Sequence, residues 1–198
     1  MTLVFATNNE NKVKEIRSVL GDSFSIITLQ EAGIDIDIPE PHNTLEENAR
    51  EKSTVIFDMT GNDCFSEDTG LEIDALDGAP GVLSARYAGE QKLSEDNIAK
   101  VLKEMNGQEN RKAHFRTVIS LILGGQEYQF TGVCPGSILT ESRGGKGFGY
   151  DPIFVPDGSD LTFAEMDMAG KNKFSHRAKA FQQLVTFLKA EGTKSLPL

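Results

Sequence analysis

The 198-residue sequence has no tryptophan, two cysteines and three histidines. That scarcity excludes a disulfide-stapled scaffold, and neither Cys64 nor Cys134 sits at a ligand spacing for structural zinc. Both are expected as reduced core thiols of a cytoplasmic protein. No apolar run approaches the roughly 20 residues of a membrane span. Residues 1–7 lack the basic start and the length of a signal-peptide core. Cations are also scarce: Lys and Arg total 20 against 30 Asp and Glu, for a net charge of −10. This deficit argues against broad nucleic-acid binding, whose phosphate contacts come from Lys and Arg, and against an anionic membrane surface. Internal repeats and low-complexity segments are absent too.

What remains is an ordinary globular composition, 38% hydrophobic and 25% charged. The length suits one domain, 1–198, or one domain in two lobes. Leu3–Ala6 reads as a strand that breaks at Thr7-Asn8-Asn9. A helix follows with Val13, Ile16 and Leu20 on one face, stopped by Gly21. Phe24–Thr28 is a second strand candidate, and residues 33–43 alternate like a strand tail before meeting Pro39 and Pro41. Thr44 and Glu47 match a capping box, predicting a helix to about Phe57. Cys64–Ser66 reads as a short buried strand ending at Glu67-Asp68-Thr69-Gly70. Ser94 is a candidate cap for a helix bearing Ile98, Val101, Leu102 and Met105. His114–Leu123, Gly124-Gly125 and Tyr128–Cys134 predict a hairpin, from which a second lobe of roughly residues 111–140 is expected. The last helix starts after Ser175, with Phe181, Leu184, Val185 and Leu188 inward and Gly192 at its end. Strands and helices mix throughout, which predicts an α/β fold with a mixed sheet.

Five segments carry candidate chemistry. Thr7, Asn8, Asn9, Glu10, Asn11 and Lys12 lie at a strand-to-helix junction, where free helix amides can hold an anion. The alternative there is an Asn N-cap beside a surface lysine. Glu67 and Asp68 at a strand end repel unless solvated, paired or bridged by a cation; hard oxygen ligands suit magnesium, and one carboxylate can take a proton from water. A solvated acidic turn is the bland alternative. Glu40, stiffened between two prolines, is preferred over Glu47 as a metal ligand because Glu47 is occupied in the capping box. Lys52 follows on the same helix, where a solvated face is the simpler reading. In Gly147-Phe148-Gly149-Tyr150-Asp151, the glycines admit a flat ligand, Phe148 or Tyr150 can stack on a base, and Asp151 can accept from a ring N–H. A glycine-rich turn with core aromatics competes with that reading. Finally, His176 and Arg177 follow the cap Ser175 in the first helical turn, where the helix dipole disfavours positive charge. With Lys171 they can donate to base carbonyl or phosphate oxygens, or be a buried His beside a surface Arg. Together the segments make the parts list of a nucleoside triphosphate hydrolase.

In order and spacing, the chain also resembles the noncanonical purine nucleoside triphosphate pyrophosphatase family, the inosine and xanthosine triphosphate hydrolases. The resemblance runs from Ala6 to about Leu188. It covers Ala6–Lys12, Glu40 seven residues before Glu47-Asn48-Ala49, then Lys52 and Glu67–Leu71. It continues through Gly78–Gly81, Ser84–Tyr87, Gly147–Pro152 and Ser175-His176-Arg177. The resemblance implies hydrolysis of ITP, dITP and XTP between the α- and β-phosphates, with Mg2+ as cofactor, in a cytoplasmic homodimer. It implies an elongated mixed sheet flanked by helices, with two lobes around a central substrate cleft. By carry-over, Asp68 is the catalytic base and a metal ligand with Glu40. Thr7, Asn9, Lys12 and Lys52 hold the triphosphate. Phe148, Gly149, Tyr150, Asp151, Lys171, His176 and Arg177 hold the purine, with Thr69 nearby. Two positions depart from the family pattern: Asn8 stands where many members have Gly, and Glu67 where Asp is frequent, which bears on its role as a metal ligand. Competing classes are a non-catalytic nucleotide-binding regulator, a protein whose acidic face binds a basic partner, and a hydrolase of modified pyrimidine triphosphates.

Overall fold

The computed structural model describes residues 2–20 and 25–194. Its elements are β1 (Thr2–Phe5), α1 (Glu10–Leu20), β2 (Ser25–Thr28), α2 (Leu45–Thr60), β3 (Cys64–Ile73) and β4 (Pro80–Gly81). There follow α3 (Ser94–Glu104), β5 (Lys112–Leu123), β6 (Gln126–Ile138), β7 (Phe154–Pro156), α4 (Met168–Phe174) and α5 (His176–Lys194). The strands form one seven-stranded sheet in the order β2-β1-β3-β5-β6-β7, with β4 paired to β3. β1 runs parallel to β2 and β3, whereas β4 is antiparallel to β3 and β7 to β6, so the fold is mixed α/β as expected. Gly21 and Phe24 lie outside the described residues.

Local chemistry explains several boundaries. Thr44 caps α2 by accepting from Glu47 N at 3.2 Å and donating to Glu47 Oε2 at 2.8 Å, an arrangement worth about 1 kcal/mol. The helix runs to Thr60, three residues beyond the expected end, and Gly61 closes it in the left-handed region at φ 64°. The hairpin turn is Gly124-Gly125, both at positive φ, and β6 extends past the expected strand at each end.

Other expectations change. Residues 33–43 form no strand: Ile34, Ile36 and Ile38 pack against a core of Val4, Ala6, Leu29 and Ile56, and Asn8 Nδ2 donates to Ile36 O at 2.8 Å. Side-chain burial thus accounts for the alternation without a partner strand, and Pro39 and Pro41 offer no N–H for a ladder. β3 does not stop at the carboxylates but continues through them to Ile73, because cations neutralise them inside the sheet. Ser94 is the first residue of α3, not its cap; Leu93 holds that position without a side-chain bond. Helix α4 lies in a stretch where the sequence signals none, and it is capped by Asp167, whose carboxylate accepts from Gly170 N at 2.7 Å. α5 continues through Gly192 to Lys194, absorbing about 1 kcal/mol of glycine penalty.

The chain divides into two compact units: Met1–Asp68 with Thr117–Gly132 and Arg177–Leu198, and Thr69–Arg116 with Val133–His176. β3, β5 and β6 each contribute to both units. The first unit is built on Leu3, Phe5, Phe65, Ile119, Phe181 and Leu184, with Phe5 and Phe65 stacked at 4.5 Å. The second is built on Leu71, Val101, Phe115, Ile153, Phe154 and Phe163. Each fully buried ring or branched aliphatic contributes about 1.5–3 kcal/mol. Cys64 and Cys134 are buried free thiols, and burial pushes Cys64 up to about 12. No described helix is long and apolar enough to cross a membrane.

Candidate active site

The parallel register Val4↔Cys64 and Phe5↔Phe65 brings the exit of β1 alongside Ser66-Glu67-Asp68. Ala6 N donates to Phe65 O at 2.8 Å, and the chain then leaves the sheet at Thr7. Carboxyl ends of neighbouring parallel strands are where open α/β sheets expose loops to ligands. The first motif therefore faces the acidic pair because of strand pairing, not local sequence.

Within that loop Asn9 acts as the cap of α1. Its Oδ1 accepts from Asn11 N at 3.0 Å and Lys12 N at 3.2 Å, while Thr7 Oγ1 accepts from Asn9 N at 3.2 Å. Asn8 ties down the Ile36 backbone, so both asparagines have structural work; Glu10 and Asn11 are exposed. A cavity of about 650 Å3 opens on this loop, lined by Thr7, Asn8, Lys14, Arg17 and Glu31 among others.

Two ion clusters lie beyond the loop. In the first, Lys52 Nζ stands 2.5 Å from Glu40 Oε1 and 3.1 Å from Asp68 Oδ1. Asp68 Oδ2 is buried and has no hydrogen-bond partner among the described residues. Burial raises the Asp68 carboxyl above its ordinary range; Lys52 and Lys12 work against that rise and Glu40 adds to it. In the second cluster, Glu67 is completely enclosed. Its Oε1 takes Lys12 Nζ at 2.6 Å and its Oε2 takes Arg177 Nε at 2.9 Å. Burial opposes Glu67 ionisation, yet Arg177 and Lys12 outweigh it and hold the group far below the usual carboxylate range. Arg177 also pairs with Glu15, a buried residue of α1.

These clusters separate residues grouped together at the sequence level. The charge of Glu67 is spent on Lys12 and Arg177, and Arg177, with 3% of its side chain exposed, is spent on Glu67 and Glu15. Asp68 and Glu40 retain a carboxylate pair around one ammonium. Among the described residues no three His, Cys, Asp or Glu side chains form a ready metal cluster. Magnesium, however, is commonly held by one or two carboxylates with substrate phosphate, so the buried open oxygen of Asp68 beside Glu40 fits it.

The second unit holds the remaining candidates. Asp151 Oδ2 accepts from Phe148 N at 2.9 Å and from Lys171 Nζ at 2.6 Å. Lys171 Nζ lies 5.2 Å from the Phe148 ring centre and 5.1 Å from that of Phe163. Gly147 has φ +78°, and a Cβ there would lie 2.1 Å from the pinned Asp151 carboxylate, so this turn requires glycine. Tyr150 is buried and donates from its hydroxyl to Ser84 O at 2.8 Å, whereas Phe148 and Gly149 are half-buried. Of the two aromatic candidates, Phe148 is the less buried. His176 is 2% exposed and stacks on Phe115 at 4.7 Å; Thr69 is half-buried.

Sequence reasoning missed Glu15 and Asn48. Glu15 interrupts the buried side of α1 between Val13 and Ile16, and a charge at such a place is the signal that could have found it. Asn48 is fully buried and holds the backbone of His42 in both directions, accepting from its N–H at 2.9 Å and donating to its carbonyl at 3.1 Å. That clasp, two residues from Glu40, fixes the proline-bounded loop. Other motifs serve architecture: Ser84 Oγ accepts from Leu71 N at 2.9 Å and donates to Gly81 O at 2.6 Å, and Asn97 binds Ala88 N and Ala85 O.

The chain shows close kinship to known proteins over nearly its whole length. The model of the Ham1 family matches residues 3–187. A protein of Flavobacterium johnsoniae named dITP/XTP pyrophosphatase is 50% identical over 190 residues, covering 96% of this chain and 99% of its own. A protein of the same name from Porphyromonas gingivalis is 49% identical, covering 94% and 96%. The solved Ham1 protein of Staphylococcus aureus superposes with a TM-score of 0.87 at 36% identity, covering 96% of this chain and 100% of that one. For a Ham1 protein of Coxiella burnetii the TM-score is 0.88 at 37% identity, covering 96% and 99%. Agreement of sequence and fold across both units places the chain: it belongs to the Ham1 family.

Proposed function

We propose that this chain hydrolyses noncanonical purine nucleoside triphosphates, ITP, dITP and XTP, to the monophosphate and pyrophosphate. The observation that carries this reading is the buried Asp68, its Oδ2 open beside the Lys52–Glu40 pair, in a chain half-identical to a protein named dITP/XTP pyrophosphatase. Asp68 and Glu40 would hold Mg2+, which when bound supplies charge neutralisation on the phosphate oxygens. Asp68 accepts the proton of the attacking water. Lys12 and Lys52 steady the triphosphate; each ammonium has three donors and keeps hydrogens beyond its carboxylate contacts. Glu67 and Glu15 position Lys12 and Arg177. The half-buried Phe148 is the proposed stacking partner of the base, and the glycine-flanked backbone beside it offers N–H donors.

Selectivity rests on the purine 6-position. Inosine and xanthosine present a carbonyl oxygen there and adenine an amino group, so a backbone donor is satisfied by the first two and left unpaired by the third. The test is a substrate panel of ITP, XTP, dITP, ATP, GTP and a modified pyrimidine triphosphate, with and without magnesium. The expected result is pyrophosphate release, magnesium-dependent and strongest for ITP, dITP and XTP. Equal kcat/KM for ATP and ITP would overturn the selectivity account. Release of orthophosphate in place of pyrophosphate would overturn the reaction assigned. A homodimer and a cytoplasmic location complete the proposal, the latter in keeping with two free thiols.

The Asp68 environment also sets a pH dependence. Proton acceptance needs the ionised form; burial raises the value at which it forms, while Lys52, and Mg2+ when bound, lower it, so kcat/KM is expected to fall as pH drops into the carboxylate range. A pH–rate profile measures this. An acid limb that persists unchanged in Asp68→Asn would rule Asp68 out as the base.

A further inference from the structure

We infer that Lys52 is a place-holding cation. Its ammonium occupies the Glu40–Asp68 pair until nucleotide arrives, so that a divalent metal binds poorly by itself and well together with a phosphate chain. This rests on the assignment of metal to Glu40 and Asp68.

The side chain of Lys52 is 8% exposed, and its Nζ lies within contact distance of one oxygen from each carboxylate, 2.5 Å and 3.1 Å away. A cation approaching the same pair meets ligands already half-neutralised and a like charge at close range. The backbone segments that carry the two carboxylates have ties of their own besides Lys52. Glu40 sits on the loop clasped by Asn48, and Asp68 lies inside β3. The backbone bearing Lys52 is fixed as well. Ser66 Oγ donates to Ala49 O, Cys64 Sγ to Ser53 O at 3.3 Å, and Ser53 Oγ meets Ser120 Oγ at 2.8 Å in the buried face of α2. The flexible four-carbon stem of Lys52 can swing while the backbone that bears it stays in place. Phosphate oxygens give its ammonium a new partner; metal alone gives it none. Binding of metal and phosphate is therefore coupled through one side chain, and the coupling is reciprocal.

The experiment is a Mn2+ titration of wild type and Lys52→Met, read by the electron paramagnetic resonance of free Mn2+, with and without inorganic pyrophosphate. Wild type is expected to bind Mn2+ at least about tenfold more tightly with pyrophosphate than without, within the usual range of coupling. Lys52→Met is expected to bind Mn2+ alone at least about tenfold more tightly than wild type and to lose most of the pyrophosphate enhancement. Equal or weaker binding by the variant overturns the place-holder and leaves the metal site standing. Unchanged Mn2+ binding in Glu40→Gln/Asp68→Asn overturns the metal site itself, and the place-holder with it. Lys52→Gln, which keeps a neutral donor toward Asp68, guards against loss of folding. Its melting temperature is expected to rise with Mn2+ alone while that of wild type does not, and the opposite pattern counts against the proposal.

Discussion

The Asp68→Asn variant is expected to lose at least about a hundredfold in turnover of ITP while keeping its fold, the lower end of general-base effects. The amide preserves shape and an acceptor toward Lys52, but it cannot take a proton from water. Its stability follows from the sign of the shift. Burial raises the Asp68 value in the folded state above the ordinary 3.8, so the ionised form weakens the fold as pH rises past it. An uncharged amide removes that cost, and Lys52 keeps Glu40 at 2.5 Å. The amide also gives up the charge that Asp68 sets against the buried Lys52 ammonium, so the melting temperature should stay close to that of wild type. Pyrophosphate release measured beside a thermal melt checks both halves, and turnover near wild type would end the assignment of Asp68 as the base.

The second large effect is on stability. Arg177→Met should cost about 3–5 kcal/mol, the penalty for breaking a buried ion pair from one side. For a chain of this size that is a fall of roughly 6–20 °C in melting temperature. Arg177 serves two buried carboxylates, Glu67 and Glu15; without it Glu67 keeps Lys12, but Glu15 loses the buried partner it has in this cluster. The loss should depend on pH. Glu67 is held below its ordinary value of 4.5, so its contribution is complete above that value and disappears as pH falls through the folded-state value. The difference between wild type and variant should accordingly narrow in acid. Glu15→Gln added to Arg177→Met should recover part of the loss, because the two sites share one interaction. Denaturant melts across pH measure all of this, and an unchanged midpoint in Arg177→Met would show that the network contributes nothing net.

Features written in neighbouring residues are legible in the sequence itself. The strand–loop–helix opening, the capping box at Thr44 and the Gly124-Gly125 hairpin each depend on local geometry, and each formed. The acidic pair at positions 67 and 68 was conspicuous because adjacent carboxylates demand a reason. What the spacing could not reveal was which partner each carboxylate takes. Glu67 meets Arg177 across 110 positions and Asp68 meets Lys52 across 16, distances at which periodicity carries no information. The same limit explains why β3 was expected to end at the acidic segment after Ser66. A strand through two acids looks improbable until the cations that neutralise them are in place.

By itself, then, the sequence determined the mixed α/β class, the order of most elements, the reduced thiols and the motifs whose joint order marks the family. The tertiary structure decided how the charged residues of those motifs are used. It buried Glu67 and Arg177 together with Glu15 as an internal ion network, turned Tyr150 inward while leaving Phe148 half-buried, and left Asp68 with one oxygen open beside Lys52 and Glu40. The reason is physical. Helix caps and turns are set by a few neighbouring dihedrals, whereas the state of a buried charge is set by desolvation and by ions that only the folded chain brings within a few ångströms of it.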